Sequence, residues 1–85
     1  MNLLKSINEA KNLVKVGGIY SHYKNINNRY IVLDIGLNES NERPVVIYRP
    51  LYGERLTWIR DLDVWNSKVV VNEKQINRFS LIEEI

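Results

Sequence analysis

The spacing of the apolar residues changes at Gly17-Gly18, and this change limits what the chain can fold into. Before the glycines, apolar residues recur at intervals of three and four, which places them on one face of a helix. They are Leu3, Leu4, Ile7, Ala10, Leu13 and Val14. After the glycines, apolar residues tend to alternate with polar ones, as in strands with one buried face. The sequence therefore predicts an amphipathic helix in residues 1–15 and β structure in residues 17–85.

Several short strands are predicted in this second region. The clearest is NRYIVLDIGLN, residues 28–38, in which every second residue is aliphatic. Alternation predicts a shared core face for Ile31, Leu33, Ile35 and Leu37. Polar turns separate the later strands, and DLDVWNS is expected to form an irregular connection or one helical turn. About five or six strands in so short a chain predict a single, mainly β domain: a small SH3-like fold, with a strongly bent antiparallel sheet or half-open barrel and one N-terminal helix.

The apolar stripe of the helix must pack against another surface. That surface is either the sheet of the same chain or a second copy of the protein, and the sequence leaves both open. In the second case the helix would build a homo-oligomer, which would help so small a domain to bury enough apolar surface.

Composition excludes several classes of protein. Cysteine is absent, which excludes disulfides and thiolate metal sites and is typical of a reducing compartment. No apolar run approaches the roughly 18 residues of a membrane span, and no secretory signal pattern is present, so a cytoplasmic protein is expected. The net charge is only +2, with twelve Lys and Arg residues scattered among ten acids. A duplex-DNA binder would be expected to cluster its basic residues.

The segment GGIYSHYKN, residues 17–25, is the first candidate site. In an extended strand Tyr20, His22 and Lys24 share one face, and Tyr23 lies on the other. A ring, a group that titrates near neutral pH and a cation together suit an anionic ligand. The alternative is a structural row, in which the histidine bonds a backbone carbonyl and the tyrosines cover the sheet.

A second candidate cluster follows in residues 48–60. It alternates aromatic and arginine side chains: Tyr48, Arg49, Tyr52, Arg55, Trp58 and Arg60. Such residues stack on planar ligands and clasp phosphates. Alternation places Arg49 on the opposite face from Tyr48, unless the strand bends at Pro50. The alternative is that the aromatic residues, Trp58 or Tyr48 in particular, belong to the core.

Five short blocks of the sequence also occur in a recognisable order. They read GIYSHYK, NRYIVLD, VIYRPLYG, WIRD and NRF, within residues 17–79. In this order they resemble domain-of-unknown-function family 1653, a small bacterial and phage β domain. The resemblance implies a compact β fold over about three-quarters of the chain. It brings no reaction with it, since the family has no agreed activity.

The resemblance extends to individual positions: Gly18, Tyr20, His22, Tyr23, Lys24, Tyr48, Leu51, Tyr52, Gly53, Trp58 and Arg60. Two features depart from the family pattern. The loop at residues 38–44 lacks the usual Glu-Thr pair, and Asp61 stands where the family has a proline. Both departures affect the loops at one rim of the fold.

Catalysis is not predicted. His22 is the only histidine, and Ser21 is expected to point away from it in a strand. The chain has no P-loop and no G-x-G-x-x-G motif. Asp61 and Asp63 are interpreted as turn or helix-cap residues rather than as a Mg²⁺ site. No enzymatic activity, metal or cofactor is therefore expected.

The function predicted from these observations is a non-catalytic module that binds a small anionic, nucleotide-type ligand and sequesters a nucleotide signal. The predicted ligand-binding residues are Tyr20, His22, Tyr23, Lys24, Tyr48, Arg49, Tyr52, Trp58 and Arg60. Two alternatives remain open. One is binding of single-stranded nucleic acid along the barrel face, which uses the same residue types. The other is a structural or protein-interaction domain, in which the aromatic residues form core and interface.

Overall fold

The structure is a computed structural model that describes residues 2–83. Its elements are α1 (Leu3–Leu13), β1 (Ile19–His22), β2 (Asn25–Leu37), β3 (Pro44–Pro50), β4 (Trp58–Asp61), α2 (Leu62–Trp65), β5 (Lys68–Val71), β6 (Lys74–Asn77) and β7 (Phe79–Glu83). The mainly β architecture with one N-terminal helix is confirmed. No helix in the described part of the chain has the length and hydropathy needed to cross a membrane.

Five strands form one antiparallel sheet in the order β4-β3-β2-β1-β7, and β5 pairs with β6 in a separate ribbon. The register slips in three of the strand pairs of the large sheet. Such β-bulges increase local twist and bend a sheet. The strongly bent sheet is therefore confirmed, and over residues 2–83 it does not close into a barrel because β4 and β7 remain edges.

Helix α1 packs on the sheet of its own chain. Asn2 caps its first turn by accepting a hydrogen bond from the Lys5 N–H at 3.0 Å. Ala10 and Val14 are fully buried, and Ile7 packs against the same core, so this part of the stripe covers β2 and β3, whereas Leu4 and Leu13 are 69% and 64% exposed. The helix contributes to the core of the domain, and its use in an oligomer stays a prediction.

The glycine pair forms the turn that follows the helix. The helix itself ends at Leu13, and Gly17 has a φ of 87°, which an L side chain rarely adopts. At Gly18 a Cβ would lie 2.9 Å from the Leu81 side chain and 3.0 Å from the Lys15 carbonyl oxygen. The pair is therefore needed for the turn and for the close approach of Lys15 and of Leu81 in β7 to the start of β1.

The core face of β2 differs from the predicted one. Val32 pairs with Tyr48 and Asp34 with Ile47, so Leu33 is an extra residue in the ladder. Because this bulge shifts the alternation, Val32 and Ile35 both face the core although they are three residues apart. The expected core face of β2 was therefore wrong at Ile31 and Leu33, whereas Leu37 shares the face of Ile35 but is 36% exposed.

The centre of the core is aromatic. Trp65 of α2 stacks on Phe79 with ring centres 3.7 Å apart and planes 2° apart. Tyr20 and Tyr48 meet the Trp65 ring edge-on at 5.4 Å and 5.1 Å. Of the two tryptophans, Trp65 is the core residue, whereas Trp58 is 53% exposed because it lies on the edge strand β4.

The β5–β6 turn yields a prediction about stability. Asn72 and Glu73 form its two residues, and both have positive φ, 51° and 67°, as in a type I′ turn. Glu73→Gly is expected to raise the free energy of unfolding by about 0.5–1 kcal/mol, because glycine adopts this conformation without a Cβ clash. Urea denaturation measures the change, with Glu73→Ala as the control that removes the charge and keeps the Cβ. An equal increase in the free energy of unfolding in both variants would show that the effect comes from removing the charge of Glu73 instead.

Candidate functional site

A cleft of about 410 Å³ opens on the core face of the sheet, next to the aromatic cluster. Its size falls within the roughly 300–1,000 Å³ of small-molecule sites. It is called here the cationic cleft, and its lining residues are His22, Lys24, Asn25, Asn28, Tyr30, Tyr48, Arg60, Arg78 and Phe79.

Three parts of the chain meet at this cleft: the β1–β2 hairpin, the β3–β4 pair and the segment leading into β7. The hairpin is held against the third part, because His22 pairs with Phe79 and the Tyr23 N–H donates to the Arg78 carbonyl at 3.0 Å. Arg60 pairs with Val46, a fully buried core residue, so it lies on the core face of β4.

The cleft carries positive charge without a counter-charge in its lining. Lys24, Arg60 and Arg78 line it, and no lining residue is an acid. Within residues 2–83 none of these three cations makes an ion pair; the ion pairs there are Lys5–Glu9, Arg29–Glu83 and Arg43–Asp63. The described residues also contain no cluster of three metal-ligating side chains. A concave surface of one sign attracts ligands of the opposite sign.

Both guanidinium groups are held in place by aromatic rings. Arg60 lies over the Phe79 ring at 5.4 Å, and Arg78 lies over the Tyr23 ring at 5.8 Å. The Arg78 Nε–H also donates to the Ser67 hydroxyl at 2.9 Å. Because this bond uses Nε, the terminal nitrogens of Arg78 remain available as donors.

His22 belongs to the β1–β2 hairpin and lines the cleft together with these cations. Its Nδ1 accepts a hydrogen bond from the Lys24 N–H at 3.2 Å, so the neutral ring carries its hydrogen on Nε2. The ring packs on Tyr23 at 4.7 Å and meets Phe79 edge-on at 4.9 Å. Burial lowers the pKa of His22 below 6.5, and the positive charges of Arg60, Arg78 and Lys24 lower it further. His22 is therefore uncharged at neutral pH.

This lowered pKa makes stability depend on pH. At pH values between the folded pKa of His22 and 6.5, this histidine binds a proton in the unfolded chain but not in the folded chain. Its contribution to the free energy of unfolding is therefore complete above pH 6.5. It is lost as pH falls through the folded pKa. We expect the wild type to lose more stability than His22→Asn between pH 7.5 and pH 5, since the asparagine oxygen keeps an acceptor and does not titrate. Urea denaturation at several pH values tests this, and parallel pH profiles would contradict it.

An aromatic wall closes another side of the cleft. Tyr30 meets Tyr48 edge-on at 5.9 Å and Phe79 at 5.8 Å. Its hydroxyl lies 2.9 Å from the hydroxyl of Tyr52. Burial and this hydrogen bond raise the pKa of Tyr30 to about 12, so it stays neutral and offers a hydroxyl and a ring.

Four of the residues predicted from the sequence line the cationic cleft: His22, Lys24, Tyr48 and Arg60. Two others do not line the cleft but contact residues that do. Tyr23 carries the Arg78 guanidinium, and Tyr52 contacts the Tyr30 hydroxyl.

The other three predicted residues lie outside the cleft. Tyr20 is buried against Trp65, and its hydroxyl accepts the Lys15 N–H at 2.9 Å. Arg49 lies on the opposite face of β3, where it donates to the Thr57 hydroxyl at 2.7 Å, so Pro50 does not bring it round to Tyr48. Trp58 pairs with Tyr48 on the edge strand but does not line the cavity.

Five lining residues were not among the sequence candidates: Asn25, Asn28, Tyr30, Arg78 and Phe79. The block NRF, residues 77–79, was visible in the sequence, and it contains the last two. What the sequence did not reveal is that β7 returns to pair with β1, which brings Phe79 opposite His22.

Comparison with known proteins supports the resemblance seen in the sequence. The family model "Protein of unknown function (DUF1653)" matches residues 18–81. The fold is similar to the crystal structure of a DUF1653 protein from Bordetella bronchiseptica, with a TM-score of 0.70 and 27% sequence identity. That match covers 81% of this chain and 88% of the other. No curated protein matches the chain.

Proposed function

This chain belongs to the DUF1653 family, and we propose that it binds a small phosphate-bearing, nucleotide-type ligand in the cationic cleft without catalysing a reaction on it. The observation that carries the proposal is the convergence of Lys24, Arg60 and Arg78 on one cavity whose lining holds no carboxylate. Three cations brought together repel one another, and a bound anion would relieve that repulsion.

The donors in the cleft suit phosphate oxygens. Arginine presents a planar fork that can donate two parallel hydrogen bonds to a phosphate, and lysine adds a point charge. The carboxamides of Asn25 and Asn28 add neutral donors. Because Arg60 and Arg78 already rest on aromatic rings, less side-chain entropy is lost when they bind.

The aromatic wall favours a ligand with more than a bare phosphate. Tyr30, Tyr48 and Phe79 line the same cavity as the cations, so a sugar attached to the phosphate has an apolar surface to contact. A cavity of about 410 Å³ favours a ligand of limited size over a long strand of nucleic acid. A protein that binds such a ligand without turnover lowers its free concentration, which is how it would act on a nucleotide signal.

A thermal-shift screen tests this proposal. The probes are inorganic pyrophosphate, the common mononucleotides, cyclic dinucleotides and oligonucleotides of increasing length. A ligand present at 100 times its Kd should stabilise the fold by about 2.7 kcal/mol. Mass spectrometry should recover that ligand unchanged after incubation with the protein.

Other outcomes would contradict the proposal. If no anionic probe raised the melting temperature, the cleft would not be a binding site. Affinity that grew with oligonucleotide length and fell steeply with salt would identify a single-stranded nucleic-acid binder instead. A chemically altered ligand would identify an enzyme.

A further inference from the structure

We propose that a second pocket, which shares Phe79 with the cationic cleft, binds the uncharged heterocyclic ring of the ligand, a nucleobase. This pocket has a volume of about 240 Å³. Its lining residues are Leu13, Tyr20, Trp65, Asn66, Ser67, Asn77, Phe79 and Leu81. The inference rests on the proposed function, because it names the part of the ligand that the cationic cleft does not hold.

The lining of this base pocket is uncharged, in contrast to that of the cationic cleft. Its volume is below the roughly 300 Å³ at which sites for drug-sized molecules begin, so it suits one ring system rather than a whole nucleotide. A phosphate there would give up part of its hydration without touching a cation in the lining, because Lys68 and Arg78 lie outside the lining and hydrogen-bond to Asn77 and Ser67, and this costs free energy. An uncharged ring carries no such penalty.

The apolar part of the base pocket is unusually open to solvent. Leu13 at the end of α1 is 64% exposed, and Leu81 of β7 is 44% exposed, although both line this cavity. Trp65, Phe79 and Tyr20 lie in the same wall, as buried aromatic residues. A planar ligand would cover both leucines and contact the aromatic side chains, and this burial of apolar surface favours binding.

The polar part can recognise the edge of a heterocycle. The Asn66 carboxamide makes no side-chain hydrogen bond within residues 2–83, so its donors and its acceptor are free to bind. The Asn77 oxygen accepts from the Lys68 ammonium at 2.7 Å, which leaves the NH₂ group of Asn77 as a donor. Carboxamides read purines and pyrimidines through such paired donors and acceptors.

Two contacts join the base pocket to the cationic cleft. Phe79 lines both cavities. Ser67 lines the base pocket and accepts a hydrogen bond from the Nε–H of Arg78, which lines the cleft, at 2.9 Å. A ligand whose ring lies in one cavity and whose phosphate lies in the other would therefore bind to neighbouring groups.

Titration calorimetry with two probes tests the assignment. The probes are inorganic pyrophosphate, which has no ring, and the four ribonucleoside monophosphates. We expect at least one monophosphate to bind about tenfold or more tightly than pyrophosphate to the wild type. Asn66→Ala should weaken the affinity for that nucleotide by about tenfold, the usual cost of losing a hydrogen bond, and leave the affinity for pyrophosphate unchanged. Asn12→Ala, an exposed asparagine of α1, is the matched control and should change neither.

The outcomes separate this inference from the proposed function. Two results would overturn the base pocket and leave the proposed anion binding in the cationic cleft unaffected. One is equal affinity for pyrophosphate and all four nucleotides, and the other is an Asn66→Ala variant that binds nucleotides as tightly as the wild type. If neither class of probe binds, the proposed function fails. In that case nucleosides without phosphate are added and followed by NMR, and a lack of shifts at Leu13 and Leu81 would overturn the base pocket as well.

Discussion

Trp65→Ala is expected to lower the free energy of unfolding by about 3–5 kcal/mol, the range for removing a large buried aromatic side chain. Trp65 is 1% exposed and lies against Phe79, Tyr20 and Tyr48. A domain of 85 residues has about 4–13 kcal/mol in total, so the expected loss is a large fraction of its stability. Urea denaturation followed by far-UV circular dichroism measures the loss.

Trp58→Ala is the matched control for this prediction. It removes the same side chain from a position on the edge strand that is 53% exposed, so the expected cost is below about 1 kcal/mol. Equal losses in the two variants would contradict the assignment of Trp65 as the centre of the core. A loss of ligand binding in Trp58→Ala with unchanged stability would extend the binding site along β4 from Arg60 to Trp58.

Arg60→Ala is expected to weaken binding of a phosphate-bearing ligand by about 10- to 100-fold, the usual cost of losing a charge-assisted hydrogen bond. Arg60 lines the cationic cleft and lies over Phe79 at 5.4 Å. The free energy of unfolding should fall by no more than about 1 kcal/mol, which is the contribution of a partly exposed cation–π contact. Calorimetry with pyrophosphate gives the affinity, and urea denaturation gives the stability.

Two further variants make this test specific. Arg49→Ala removes the same charge from the opposite face of the sheet, so affinity should stay within about twofold of the wild type. Arg60→Lys keeps the charge and loses the planar fork, and an intermediate affinity is expected. If Arg49→Ala and Arg60→Ala weaken binding equally, the ligand responds to net charge and not to the cleft.

Helix α1 is part of the domain although the family match begins after it. The match covers residues 18–81, whereas α1 ends at Leu13. Ala10 and Val14 are nevertheless fully buried in the core that Trp65 and Phe79 share. Leu13 also lines the base pocket, so this segment bears on the proposed ligand specificity as well as on stability.

The local elements could be predicted because their causes are local. The apolar spacing before Gly17 produced α1, and the alternation after it produced the strands. The segment DLDVWNS forms the single helical turn of α2, Leu62–Trp65, which was one of the two forms expected of it. Its role could not be predicted, because Trp65 packs against aromatic side chains from β1, β3 and β7, which lie far from it in the sequence.

The β2 bulge shows why the core face was predicted wrongly. The alternation of Ile31, Leu33 and Ile35 is regular in the sequence. The extra residue at Leu33 reverses the direction of every side chain before it relative to those after it. Since the bulge is a property of the pairing with β3, no pattern within β2 alone reveals it.

By itself the sequence determined the fold class, the family and four of the nine residues that line the cationic cleft, because periodicity, turn residues and the blocks around His22 and Arg60 act over short stretches of chain. Only the tertiary structure decided which side chains share a cavity. The pairing of β7 with β1 placed Phe79 opposite His22 and brought Arg78 to the hairpin. Arg49 lies outside the cleft because its side chain is on the opposite face of β3. Strand pairing joins residues that lie far apart in sequence, and that choice depends on the energy of the whole packed core rather than on any one segment.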